Sequence, residues 1–120
     1  MNSRRPGFAN RQHHRLMVLL LALVFSGVTP STLAAPKSTT HTIDIEALKF
    51  SLPTLEVKPG DTVIWKNKDA FPHNVIAENK GFRSPGIQSG QSWEFKARNL
   101  GVFQYVCTLH PGMKAVLTVK

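Results

Sequence analysis

Cysteine is almost absent from this chain, because Cys107 is the only one among 120 residues. Small exported domains often depend on disulfide bonds, but a chain with a single thiol forms none within one copy. In an oxidising compartment a lone thiol is open to oxidation unless it is buried, paired with another chain or bound to a metal. Cys107 is therefore interpreted either as a buried structural thiol or as a ligand.

The chain also lacks an apolar run of the roughly 20 residues that span a bilayer. Its apolar run, residues 16–25, follows four arginines and precedes small residues that lead to Ala34. This order is typical of a secretory signal peptide, so we predict a leader at 1–34, a flexible lead-in at 35–40 and one domain at 41–120. We favour cleavage over an uncleaved anchor, and the general secretory route over a twin-arginine route. No membrane span is expected after cleavage.

Clusters of like charge are missing as well. The formal net charge of +8 includes four leader arginines, so 11 basic and seven acidic residues leave +4 after residue 34. The basic residues are dispersed and do not alternate with aromatic residues, which argues against a nucleic-acid partner. A mild positive charge instead suits an acidic protein surface.

Motifs for hydrolytic or phosphate chemistry are equally scarce. We find no Ser-His-Asp arrangement, no paired carboxylates and no glycine-rich phosphate loop. We therefore predict that the protein is not an enzyme. A fragment of a multicopper oxidase or nitrite reductase is disfavoured, since a second copper centre would need more histidines.

The remaining pattern predicts an all-β fold in one small domain. Apolar residues alternate with polar ones in short runs, and Pro, Gly and Asn separate the runs. This period of two is typical of a sandwich or barrel. Residues 78–90 contain three glycines and a proline and are predicted to be mostly loop. Cys107 shares a predicted core face with Phe103 and Tyr105.

Four residues near two of the predicted turns carry metal-binding groups. Cys107, His110 and Met113 follow one another at intervals of three, and His73 lies upstream. Each alone is more often structural, but two histidines, a cysteine and a weak axial methionine form the ligand set of blue copper sites. Zinc is the main rival metal, although structural zinc sites usually have more thiolates. His41 is interpreted as an exposed residue at the end of a strand.

These residues resemble the cupredoxin family in their order. The segments that carry the resemblance are residues 57–67, 72–75 and 101–107, and it extends over about 41–120. The short Cys-x-x-His-x-x-Met loop is similar to that of the amicyanin-like branch rather than the longer plastocyanin and pseudoazurin loops. Leu109, Gly112 and Ala115 depart from that branch. Because Leu109 and Gly112 change the surface beside His110, its amine dehydrogenase partner is not carried over.

The resemblance implies a Greek-key β-sandwich that binds one type 1 copper ion. It implies that His73, Cys107, His110 and Met113 are the ligands, and that Asn74 joins the two ligand loops by hydrogen bonds to Thr108. A small apolar docking surface around His110 is expected, formed by Phe71, Pro72, Pro111 and Gly112.

The expected function is that of a periplasmic, monomeric one-electron carrier that cycles copper between Cu(I) and Cu(II). Its partners would be redox proteins that bind transiently, such as a c-type cytochrome, a dehydrogenase or a reductase. A periplasmic copper carrier or buffer with the same ligands is the alternative, and a non-metal adhesive sandwich is the least favoured.

Overall fold

The computed structural model describes residues 27–120. Most of the predicted leader, residues 1–34, lies outside the described residues, so the leader and the domain boundaries stay predictions. Residues 27–39 have no regular secondary structure and are exposed. No helix within the described range is long and apolar enough to cross a membrane.

Eight strands form the domain, and residues 27–120 contain no α-helix. The strands are β1 (Thr40–Glu46), β2 (Lys49–Phe50), β3 (Thr54–Val57), β4 (Thr62–Asn67), β5 (Ile76–Ala77), β6 (Ser92–Lys96), β7 (Gly101–Val106) and β8 (Lys114–Val119). They make two four-stranded sheets, ordered β2-β1-β4-β6 and β3-β8-β7-β5. The predicted all-β sandwich is confirmed.

The chain passes repeatedly between the two sheets. Parallel pairs join β1 to β4 and β3 to β8, whereas β7 is antiparallel to both of its neighbours. These pairings between distant segments place the β4–β5 and β7–β8 connections at the same end of the sandwich. The turn between β1 and β2 lies at this end too, because β1 runs parallel to β4.

The core follows the predicted alternation. Inward residues of β4, β7 and β8 are buried, and they include Trp65, Tyr105 and Leu117. The Trp65 Nε1–H donates a hydrogen bond to the Tyr105 hydroxyl, at 3.3 Å, and so joins the two sheets inside the core. Burial raises the pKa of Tyr105 to about 12, which keeps its hydroxyl protonated.

Two strands, β2 and β5, were not predicted from the sequence. Each has only two residues, which is too short to show a period of two. The predicted loop at 78–90 contains no strand, but it is anchored: Phe82 and Ile87 are buried, and Ile87 forms an isolated bridge with His73. This loop therefore supports a residue of the predicted metal site.

Candidate metal centre

The buried side chain of Asn67, at the end of β4, organises the connection that leads to His73. Its Nδ2 donates hydrogen bonds to the carbonyl oxygens of Phe71, at 2.7 Å, and Ile87, at 2.9 Å. Its Oδ1 accepts the N–H of Asp69, at 2.9 Å. One amide thus satisfies three backbone groups, and the loop is fixed without regular secondary structure.

His73 is fully buried at the end of this connection. Its backbone exchanges two hydrogen bonds with Ile87, at 3.1 and 2.7 Å, so the backbone cannot shift without breaking the bridge. A buried imidazole needs partners for both ring nitrogens. The Nε2 lies 2.9 Å from Asp69 Oδ2, and the Nδ1 lies 3.7 Å from Cys107 Sγ.

The second loop, residues 107–113, is closed by its own backbone. The N–H of Cys107 bonds the carbonyl oxygen of Met113, at 3.2 Å, and the N–H of Met113 bonds that of His110, at 3.3 Å. Gly112 has a φ of 96°, a conformation that glycine adopts without steric cost. Cys107 and Met113 are buried, whereas His110 is partly exposed, so only His110 of the predicted ligands approaches solvent.

Three donor atoms converge between the loops. The Nδ1 of His110 lies 3.8 Å from Cys107 Sγ, and the donor atoms of His73, Cys107 and His110 all lie within 4.8 Å of one another. With metal–nitrogen bonds of about 2.0 Å and metal–sulfur bonds of about 2.3 Å, donors in a trigonal plane are separated by about 3.7 Å. The observed sulfur–nitrogen distances therefore fit donors that share one ion.

Asn74 connects the two loops directly. Its Nδ2 donates to Thr108 Oγ1, at 2.7 Å, and its Oδ1 accepts the Thr108 N–H, at 2.8 Å. Its backbone N–H lies 3.4 Å from Cys107 Sγ and donates to the sulfur. Hydrogen bonds of this kind orient ligands and tune the electronic properties of a metal.

The contact of Asp69 with His73 was not predicted from the sequence. Its carboxylate also accepts the N–H groups of Ala47 and Leu48, in the β1–β2 turn. Burial opposes ionisation, but hydrogen bonds from Leu48, Ala47 and His73 outweigh it and lower the pKa of Asp69. In the sequence, Asp69 precedes His73 by four residues. This spacing predicts a side-chain contact on a helix but not in a loop.

The predicted docking residues directly precede His73 or directly follow His110 in the chain. Phe71, Pro72, Pro111 and Gly112 are all exposed, and the Phe71 ring centroid lies 6.5 Å from that of His110. Leu109 extends this surface with half of its area exposed.

His41 lies near the start of a strand and apart from the predicted ligands, as expected, but it is less exposed than expected. Its side chain is partly buried, with Nε2 located 3.0 Å from Asp61 Oδ2. Because His41 is at the start of β1, it lies at the end of the sandwich away from Cys107. It is therefore remote from the three converging donors.

Comparison with known proteins identifies the class of protein that this fold and site define. Residues 37–120 match the family described as copper binding proteins, plastocyanin/azurin family. The chain therefore belongs to this family of copper proteins, which confirms the cupredoxin resemblance and copper as the metal.

Individual relatives agree with this assignment. Amicyanin-alpha of Methylorubrum extorquens is 32% identical over 104 residues, which cover 82% of this chain and 87% of that protein. A plastocyanin of Scenedesmus fuscus is 30% identical over 90 residues, which cover 64% of this chain and 92% of that protein. A solved Cu(I) structure of an amicyanin with one methionine changed to alanine matches with a TM-score of 0.63 and 34% identity, over 68% of this chain and 82% of that one.

Proposed function

We propose that His73, Cys107, His110 and Met113 hold one type 1 copper ion and that the protein is an exported one-electron carrier between redox proteins. The observation that carries this proposal is the convergence of one sulfur and two imidazole nitrogens within 4.8 Å. Met113 is buried and its backbone is hydrogen-bonded to Cys107, so its thioether would be the fourth, weaker ligand. The copper ion, when bound, supplies the exchange between Cu(I) and Cu(II).

The protein keeps the donor atoms nearly stationary. Asn67 and Ile87 fix the backbone before His73, and the loop after Cys107 is closed by backbone hydrogen bonds. The link between Asn74 and Thr108 prevents the two loops from separating. A site that cannot rearrange needs little reorganisation when its charge changes, which favours rapid electron transfer.

Electrons would enter and leave through His110. It is the partly exposed ligand, and the surface around it is apolar, with Phe71 59% and Leu109 51% exposed. An apolar surface beside a partly exposed ligand suits transient redox encounters, which bury less than about 1,200 Å² in total. The positive charge of the chain suits acidic partner surfaces, and we propose a c-type cytochrome, a dehydrogenase or a reductase as partner.

Export supports the same function. A periplasmic protein with the leader 1–34 would reach an oxidising compartment, and copper bound by Cys107 would protect the thiol from oxidation. We propose that it acts there as a monomer without nucleic acid and without catalysis of its own. His41, the remaining histidine of the described residues, is paired with Asp61 and remote from the site.

Addition of Cu(II) to protein purified after export tests the proposal. We expect an intense blue colour from the bond between the Cys107 thiolate and copper, and a reversible one-electron reduction. The Cys107→Ser variant should stay colourless, and equal colour in this variant would refute the assignment. Loss of copper to a chelator within seconds, without reversible reduction, would favour the copper buffer instead.

A further inference from the structure

The carboxylate of Asp69 brings together three donors that belong to two separate parts of the chain. Its Oδ2 lies 2.9 Å from His73 Nε2 and accepts the Leu48 N–H, at 3.0 Å. Its Oδ1 accepts the Ala47 N–H, at 2.7 Å. Asp69 thus connects the β1–β2 turn to the fully buried imidazole of the candidate site.

The geometry determines which nitrogen of His73 is free to bind a metal. A carboxylate oxygen accepts hydrogen bonds, so when His73 binds a metal as a neutral imidazole, the Nε2 that faces Asp69 would carry the proton. The lone pair then lies on Nδ1, the nitrogen that is 3.7 Å from Cys107 Sγ. His73 has no exposed surface, so bulk water does not compete for Nε2.

The turn that Asp69 binds is itself unfavourable. Glu46 pairs with Lys49, which leaves Ala47 and Leu48 as a two-residue turn with φ values of 52° and 58°. Positive φ at both positions suits Asn and Gly, and costs other residues about 1–2 kcal/mol each. Hydrogen bonds from both N–H groups to one carboxylate stabilise this turn. The β1–β2 turn also holds the Asp69 carboxylate in place beside His73.

We propose that Asp69 is a positioning residue, which fixes the tautomer and orientation of His73 and donates negative charge toward the copper site. This inference rests on the proposed copper site. A carboxylate bound to the far nitrogen raises the basicity of a ligating imidazole. Asp69 therefore stabilises the more highly charged Cu(II) state relative to Cu(I).

Asp61 provides a matched control, because it has the same set of contacts at the opposite end of β4. Its carboxylate accepts the N–H groups of Thr39, at 2.8 Å, and Lys58, at 3.0 Å, and pairs with Nε2 of His41. The Asp61→Asn variant loses one negative charge and comparable hydrogen bonds, but at a distance from the copper ligands.

The test compares copper-loaded wild type, Asp69→Asn and Asp61→Asn. At a fixed applied potential, Asp69→Asn should raise the ratio of reduced to oxidised copper about tenfold, which corresponds to about 59 mV for one electron. Its affinity for copper, measured by competition with a chelator, should also fall about tenfold, as is typical when a partner of a metal ligand is lost. Asp61→Asn should change either quantity by less than about twofold. Equal effects of the two substitutions would overturn the proposal.

A second pair of variants separates the copper effect from loss of the turn. The double substitution Ala47→Asn/Leu48→Gly gives the turn the residues that its φ angles favour, so the fold depends less on Asp69. Asp69→Asn in this background should fold and still shift the reduction equilibrium toward Cu(I). An unshifted equilibrium would mean that Asp69 serves only the turn. If wild type itself forms no blue complex, the proposed function fails and not this inference alone.

Discussion

The residues Asn74 and Thr108 exchange two hydrogen bonds across 34 positions of sequence, through Nδ2 to Oγ1 at 2.7 Å and through the Thr108 N–H to Oδ1 at 2.8 Å. Each residue directly follows a proposed copper ligand. The pair therefore holds the β4–β5 and β7–β8 connections at the separation that brings His73 and Cys107 together. The backbone N–H of Asn74, which faces the sulfur, adds a third bond at the same place.

Replacement of Asn74 by alanine should loosen the site without abolishing it. Each lost hydrogen bond contributes about 0.5–1.5 kcal/mol, so the free energy of unfolding of the copper form should fall by about 1–2 kcal/mol. Copper loss to a chelator should accelerate, while the blue colour should remain, because the backbone N–H still faces Cys107. Thermal unfolding and chelator kinetics measure these effects.

Asn79→Ala is the control for this substitution. The Asn79 side chain also connects separate segments, by bonds to the carbonyl oxygen of Val102, at 3.3 Å, and the N–H of Gly81, at 3.1 Å. Removal of the Asn79 side chain should lower the free energy of unfolding without accelerating the loss of copper. If both variants release copper at the wild-type rate, the link between Asn74 and Thr108 does not control access to the metal.

The sequence was sufficient for the features that depend on residue type and regular spacing. The alternation around Trp65 and Tyr105 predicted core strands, and the intervals from Cys107 to Met113 predicted a copper ligand set. The contacts of Asp69 were not predictable, because they require the backbone of a two-residue turn and the pairing of β1 with β4. The contact of His41 with Asp61 was not predictable for the same reason, because it depends on the pairing of β1 with β4, the strand that Asp61 precedes.

Replacement of Met113 by leucine should leave copper bound and shift the reduction potential upward. An axial thioether is a weak ligand that tunes the potential, and its removal disfavours Cu(II), which prefers more ligands than Cu(I). The exchange nearly conserves volume and should cost less than about 1.5 kcal/mol at this buried position. Voltammetry of the blue protein measures the shift.

The reverse exchange, Leu117→Met, serves as its control. Leu117 is fully buried in β8, so this variant tests the effect of a similar change in the core. Its potential should equal that of wild type. Loss of copper from Met113→Leu would show that Met113 is a strong ligand, and an unshifted potential would show that it is no ligand at all.

Replacement of Leu109 by lysine should slow electron exchange between copies of the protein about tenfold. Self-exchange requires two surfaces around His110 to meet, and a like charge on each adds repulsion at the contact. Leu100→Lys is the control, since Leu100 is 70% exposed but precedes β7, at the end away from Cys107. NMR line broadening in mixtures of Cu(I) and Cu(II) protein measures the rates. Equal slowing by both substitutions would indicate a general charge effect instead of docking at His110.

Asp61 should make the copper-free protein sensitive to acid. Hydrogen bonds from Thr39, His41 and Lys58 outweigh burial and lower the pKa of Asp61 from 3.8 to about 2. Because the folded-state pKa lies below the unfolded one, the stabilisation is complete above about pH 4 and is lost as the pH falls toward 2. Asp61→Asn should therefore lower the urea midpoint near neutral pH, and the difference from wild type should shrink in acid.

Urea unfolding at a series of pH values, without copper, measures this difference and avoids a contribution from metal release. Glu56→Gln is the matched control, because Glu56 pairs with Lys120 on the exposed surface, where ion pairs contribute little. Its urea midpoint should follow that of wild type at each pH. A deficit of Asp61→Asn that stays constant down to pH 2 would mean that the hydrogen bonds of Asp61 stabilise the fold without any contribution from its charge.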